Sequence, residues 1–224
     1  MINIAIDGPS GAGKSTIAKA VAKKKGYIYV DTGALYRSIG LWVARKGIAK
    51  DDKGSVIAEL GNITLELKYV EGTQRVYLNG EDVSDDIRTP EISMYASAVS
   101  AIPEVRAFLL DLQRDMAKKH NVIMDGRDIG TVILPDATVK FFMTASPEGR
   151  ARRRHKELLE KGIDTSYEDV LADMIERDKN DSTRDIAPAI AAEDAIHFDN
   201  SAEGIEQSVS EMIEIIDKVI EAKK

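Results

Sequence analysis

The chain contains no cysteine, which excludes disulfides, a thiol nucleophile and a cysteine-built zinc site. Histidine is scarce too. His120, His155 and His197 are scattered along 224 residues and suggest no metal cluster. A basic excess is also missing. The formal net charge is −7, whereas a protein that coats nucleic acid is usually cationic. Nucleic acid is therefore not an expected partner, and any bound anion must be held by a local cationic pocket. No apolar run reaches the ~18 residues of a membrane span, so no membrane association is expected. The opening from Met1 to Asp7 has no charged n-region and no cleavage site. No signal peptide is read there, and a cytoplasmic location is expected.

What is present is ordinary for a soluble globular protein: 43% hydrophobic and 31% charged residues. At about 150 residues per domain, the length fits one domain with decoration or a small insert. Short apolar runs at 2–6, 27–30, 122–124, 139–143 and 196–198 are rich in β-branched or aromatic residues. Such runs read as buried strands. Helical stretches fall at 14–25, 34–46, 104–119, 147–161, 167–181 and 202–222. Alternation of the two predicts a parallel sheet covered on both faces. Residues 62–83 break the rhythm. Ile63, Leu65 and Leu67 alternate with polar residues, Val76 and Leu78 do so after a turn at Glu71 and Gly72, and Asn79 precedes Gly80. This predicts a small antiparallel meander with a type I′ hairpin, inserted in the α/β pattern. Lys23, Lys24 and Lys25 sit at a helix end, where they suit the helix dipole as a solvated face.

Gly8, Pro9, Ser10, Gly11, Ala12, Gly13, Lys14 and Ser15 match G-x-x-x-x-G-K-[S/T], with Thr16 next. The stretch follows the first strand and opens the first helix, the context this phosphate-binding motif requires. Glycines permit backbone geometries in which successive N–H groups point at phosphate oxygens, and the helix N-terminus adds positive charge. In this reading residues 8–16 bind ATP, Lys14 reaches the β- and γ-phosphates, and Ser15 holds Mg2+. Kinases, regulatory GTPases and mechanical ATPases share the motif. No Asn-Lys dipeptide is present, so the guanine-reading segment of a GTPase is missing, and a compact chain with an insert fits a kinase better than a mechanical ATPase.

Two further segments follow strands: Asp31 to Arg37, and Asp125 to Thr131. Ligands of open α/β sheets gather at such strand ends. Asp125 could orient water around Mg2+, and Arg127 and Asp128 would face the cleft. The competing reading is that Asp125 and Asp128 cap the next helix. Arg177, Asp181 and Arg184 are spaced i, i+4, i+7, one face of an ideal helix, and read either as a binding row or as an exposed ion-pair ladder. Arg150, Arg152, Arg153 and Arg154 cannot all share one helix face, so some must meet solvent.

Taken together, these segments closely resemble bacterial-type cytidylate kinase, a nucleoside monophosphate kinase family. The resemblance rests on residues 7–14, 31–37, 86–89 and 125–132, on Glu176, Arg177 and Asp178, and on Asp181 and Arg184, in family order over nearly the whole chain. It implies a P-loop three-layer α/β fold with a five-stranded parallel sheet, a small antiparallel insert and a helical lid. Residues 1–61 and 97–224 would form the core, 62–96 the nucleoside-monophosphate-binding insert and 146–165 the lid. The implied reaction moves the ATP γ-phosphate to CMP or dCMP. By resemblance Ser97, Arg106 and Asp128 read the cytosine, and Thr32 stands where the family often has serine. Arg37, Arg127 and Arg184 hold the acceptor phosphate, and Arg177 and Asp181 the ribose. A carboxylate such as Asp128 suits the cytosine N4 amino donor. Lys14, Arg127, Arg153, Arg177 and Arg184 would neutralise the transferring group, Arg153 from the lid. No general base is needed, since a phosphate acceptor with a second pKa of about 6 is already largely dianionic. The resemblance also implies a monomer. The nearest rival is another small-molecule P-loop kinase, acting on a different monophosphate or on an alcohol such as shikimate.

Overall fold

The computed structural model describes residues 1–70, 72–201 and 204–223. Glu71, in the expected turn of the meander, and Ala202 and Glu203, at the expected start of the last helix, lie outside the described residues. In chain order the elements are β1 (Asn3–Asp7), α1 (Lys14–Lys25), β2 (Ile28–Asp31), α2 (Thr32–Arg45), α3 (Lys53–Glu59), β3 (Leu65–Val70), β4 (Thr73–Leu78) and β5 (Glu81–Asp82). They continue with α4 (Pro90–Val99), α5 (Pro103–Lys119), β6 (Val122–Asp125), β7 (Val139–Thr144), α6 (Pro147–Glu160), α7 (Tyr167–Thr183), β8 (Ile196–Asp199) and α8 (Ile205–Ala222).

Five strands form the parallel sheet, in the order β2-β6-β1-β7-β8. Its central strand β1 pairs Ile4 with Ile123 of β6 and with Val139 of β7. Each apolar run of the sequence is a strand, and each strand continues one residue past its run. The added residue carries oxygen every time: Asp7, Asp31, Asp125, Thr144 and Asp199. The backbone can keep its ladder bonds there while the side chain leaves the apolar interior at the carboxyl end of the strand. A second sheet, in the order β3-β4-β5, is the antiparallel meander, with Leu65 opposite Leu78 and Leu67 opposite Val76. Asn79 and Gly80 both have positive φ, 49° and 85°, as a type I′ turn demands.

The chain divides into two compact units, Met1–Tyr29 with Lys119–Lys224, and Val30–Lys118. In the first, Ile4, Ile6 and Phe141 of the sheet pack with Ile17 and Val21 of α1 and with Val209, Met212 and Ile216 of α8. Helix α1 ends on Gly26 in the left-handed region, whose N–H bonds the Ala22 carbonyl, and its last turn carries the three lysines, opposite in sign to the dipole there. In the second unit Leu35, Ile39 and Val43 of α2 pack with Val76, Leu78, Ile92, Val99 and Leu109. A Cβ on Gly40 would sit 3.0 Å from the Tyr95 Cβ and 3.1 Å from the Ala96 N, so α2 and α4 cross closely. Helix α4 lies outside the helical stretches expected from the sequence. It starts on Thr89, whose Oγ1 accepts from the Ile92 N–H, with Pro90 in its first turn, and position 96 falls inside it. Helix α2 begins at Thr32 rather than 34 because Asp31 caps it, accepting from the Ala34 N–H at 3.0 Å.

Candidate active site

The loop between β1 and α1 is held close to its neighbours. Gly8 has φ 140°, and a Cβ there would lie 2.0 Å from the Met143 carbonyl oxygen of β7. Gly13 has φ 94°, and a Cβ there would lie 2.5 Å from Asn200 Nδ2. No side chain fits at either position without moving backbone or the asparagine. Lys14 is buried, and its Nζ donates to the carbonyls of Gly8 and Pro9 at 2.8 and 2.7 Å. Burial first, then the charge of Arg127, pushes its amine down to about 7, while Asp125 and Asp7 pull the other way. Ser15 Oγ donates to Asp125 Oδ2 at 2.7 Å, and Tyr29 Oη donates to Asp125 Oδ1 at 2.9 Å. Asp125 is thus occupied by hydroxyls from α1 and β2, not by the helix start that a cap would serve. A serine hydroxyl and a carboxylate within hydrogen-bond reach form a hard oxygen donor pair.

Asp7, which sequence reading left without a role, holds the turn after β6. It accepts from the N–H groups of Ile129 and Gly130 at 2.8 and 2.7 Å. Burial, only partly offset by those bonds, raises its carboxyl to about 6. Residues Ile129–Ile133 form a short π-helical turn, begun by Asp128, whose side chain makes no capping bond. Asp128 is buried. Arg127 Nε donates to Asp181 Oδ2 of α7 at 3.0 Å, and Arg184 lies 3.9 Å from Asp128. Arg177 is on the same helix as Asp181. One expectation needs correction: α7 ends at Thr183, and Arg184 is its extended cap with ψ 145°. The i, i+4, i+7 face therefore loses its third member. Arg184 still reaches Asp128, because the chain turns there and its Nε donates to the Ala187 carbonyl at 2.8 Å.

The hairpin of α6 and α7 sorts the four arginines at positions 150–154. Arg152 is exposed. Arg154 pairs with Glu157 on its own helix. Arg153 is exposed but donates to the Gly11 carbonyl at 2.9 Å. Arg150 is 2% exposed and donates to the carbonyls of Ala145 and Ser10 and to Asp178. Sequence reading favoured Arg153 and gave Arg150 no part.

The second unit carries its own polar cluster. Asp31 is paired with Arg37 at 2.9 Å and Arg88 at 3.5 Å, and its N–H donates to Gln74 Oε1. Arg37 Nε is buried with no hydrogen-bond partner among the described residues. Thr32 is buried in the first turn of α2. Arg106 lies over the Tyr36 ring and donates to the Ser100 carbonyl at 3.1 Å, while the Ser100 hydroxyl donates to the Ser97 carbonyl. Asp31, Arg88 and Gln74 had no assigned part.

Among the described residues no group of three histidine, cysteine, aspartate or glutamate side chains is placed to hold a metal, and no helix is long and apolar enough to cross a membrane.

The family model described as cytidylate kinase matches residues 4–218. A cytidylate kinase of Caldicellulosiruptor saccharolyticus is 52% identical over 219 residues, covering 98% of this chain and 97% of the relative. That of Caldicellulosiruptor bescii is 50% identical over 219 residues, with the same coverage, 98% and 97%. Among solved structures, shikimate kinase from Bacteroides thetaiotaomicron superposes with a TM-score of 0.50 at 14% identity, over 96% of this chain and 98% of its own. That likeness is one of fold.

Proposed function

The chain belongs to the cytidylate kinase family, and from this we propose that it transfers the γ-phosphoryl group of ATP to CMP or dCMP. The observation that carries the reading is the buried Lys14, held on the carbonyls of a glycine loop at the mouth of α1. A cation that burial weakens to about 7 gains most from an incoming polyanion.

Residues 8–16 hold the ATP phosphates on backbone N–H groups and the start of α1. Ser15 and Asp125 fit Mg2+, which takes oxygen ligands and keeps waters and substrate phosphates besides one or two protein groups. When bound, the ion would neutralise charge on the ATP phosphates. In the transfer, an oxygen of the acceptor phosphate forms a bond to the γ-phosphorus, the bridging bond to the β-phosphate oxygen breaks, and ADP leaves. The acceptor is largely dianionic at neutral pH, with a second pKa of about 6, so no side chain needs to take a proton. The protein's task is placement and positive charge. Lys14, Arg127, Arg177 and Arg184 supply that charge, and Arg153 adds to it from the lid. Arg37, with its unmatched Nε, Arg127 and Arg184 hold the acceptor phosphate, and Arg177 and Asp181 the ribose. Ser97, Arg106 and Asp128 recognise the base, Asp128 by accepting from N4, and the Thr32 hydroxyl adds a contact to the acceptor nucleotide.

A coupled assay offering ATP with CMP, dCMP, UMP, AMP and shikimate tests the reading. Turnover should be greatest with CMP or dCMP and absent with shikimate; preference for any other acceptor rejects it. Asp128→Ala should reduce the preference for CMP over AMP by up to about 10⁴-fold, since discrimination that depends on a buried hydrogen bond is lost with it. Its ATP affinity should stay unchanged.

A further inference from the structure

The glycine loop is gripped from its carbonyl side. Five consecutive carbonyls each accept from a side chain: Gly8 and Pro9 from Lys14, Ser10 from Arg150 at 2.8 Å, Gly11 from Arg153 at 2.9 Å and Ala12 from Asn200 at 2.9 Å. In a planar trans peptide the C=O and the next N–H point in opposite directions. Fixing the carbonyls of residues 9–12 therefore aims the N–H groups of Ser10, Gly11, Ala12 and Gly13 the other way.

Two of these donors are themselves immobilised. Asn200 follows β8. Its N–H donates to the Thr144 carbonyl at 2.8 Å, and its Oδ1 accepts from the buried Ser208 hydroxyl at 2.9 Å. With the oxygen taken, Nδ2 faces Ala12. Arg150 spreads its guanidinium over three acceptors: Ala145 at 2.9 Å, Ser10 at 2.8 Å and the Asp178 carboxylate at 2.5 Å. Asp178 completes the Glu176, Arg177, Asp178 segment, in which it otherwise has no part.

We infer that Arg150, held by Asp178, and Asn200 are positioning residues for the triphosphate: they fix the peptide planes of residues 10–12 so that the loop's amides face the ligand before it arrives. This rests on reading residues 8–16 as the ATP cradle. Preorganised donors cost no rearrangement on binding, so losing an anchor weakens binding of the phosphates while leaving the acceptor side alone.

The test is Asn200→Asp, which keeps the oxygen facing Ser208 but replaces the donor to Ala12 with a second, negatively charged acceptor; Arg150→Lys, which keeps the local charge, separates lost positioning from added repulsion. ATP with Mg2+ and inorganic tripolyphosphate are each titrated by calorimetry without acceptor, and KM is measured for both substrates. About tenfold weaker binding of both ATP and tripolyphosphate is expected, the size of one lost hydrogen bond. KM for the acceptor should change by less than about twofold, and the unfolding midpoint by only a few degrees on the scale for a chain of this size. Arg150→Lys should show the same pattern, since one ammonium cannot serve three separated acceptors, and Asp178→Asn a milder version. Unchanged affinity for ATP and tripolyphosphate in both Asn200→Asp and Arg150→Lys overturns the inference. So does an equal rise in both KM values with a large fall in the midpoint, which marks a merely structural role. If the unaltered protein binds neither ATP nor tripolyphosphate, the cradle itself is refuted, and these anchors with it. If it binds both but ignores CMP, only the acceptor assignment fails.

Discussion

The glycine-loop unit and the small antiparallel sheet both carry charge, in opposite ways. In the first, burial works against the charged forms: the Asp7 carboxyl is raised to about 6 and the Lys14 amine lowered to about 7. In the second, the shifts favour charge. Asp82 is lowered to about 2 by the Ser84 hydroxyl and by Arg75, and Arg75, paired with Asp82 and Asp85, is raised. The comparison separates two uses of electrostatics. Surface pairs satisfy each other and contribute little. Buried groups held against their preferred state cost stability, and such groups mark candidate functional sites.

Lys14→Met should break this contrast most severely. Turnover should fall about 10³-fold or more, as when a preorganised electrostatic donor is lost, while the unfolding midpoint should not fall, because a desolvated amine is removed. A large loss of stability would mean that Lys14 is chiefly structural.

Asp7 gives the next effect. Its folded value of about 6 lies above the ordinary 3.8, so the folded form holds the proton more tightly. Its contribution is fully present below pH 3.8 and is lost as pH rises through 6. The loss amounts to about 3 kcal/mol. Asp82 runs the other way: its stabilisation is present above 3.8 and lost as pH falls toward 2. Urea unfolding at several pH values should show a decline between pH ~4 and ~6 that disappears in Asp7→Asn, in line with proton linkage. A decline that persists in the variant assigns it to another group.

Arg75→Ala should do least. The midpoint should shift by no more than about 2 °C at low salt and less in 1 M NaCl, as expected for half-exposed surface pairs. Turnover should not change. A larger drop would show that this pair bears on the fold more than its exposure suggests.

The sequence made the strands and the glycine loop legible because their signals are local: β-branched runs, three glycines before a lysine, and an Asn-Gly turn. Helix α4 carries local signals too, Thr89 as cap and Pro90 after it, but they fall inside the insert expected to run to position 96 and do not separate a helix from it. Arg184 leaves the expected helix face because ideal spacing assumes that the helix continues, and it stops one residue short. The choice among the arginines at 150–154 cannot be read from the sequence, since Arg150 is distinguished by partners at Ser10 and Asp178, 140 and 28 positions away. Asn200 finds Ala12 across 188 positions. Only packing of α6 on α7, and of β8 beside β7, selects those residues.

Proline at position 9 has no N–H to orient, so the Lys14 bond to the Gly8 carbonyl directs no amide at all. The amides of Gly11, Ala12 and Gly13 take their direction from Arg150, Arg153 and Asn200. In the proposed cradle, Lys14 lets go of its own loop and swings to an arriving phosphate while most of the nest keeps its shape: the moving part and the rigid part of the same turn are different side chains.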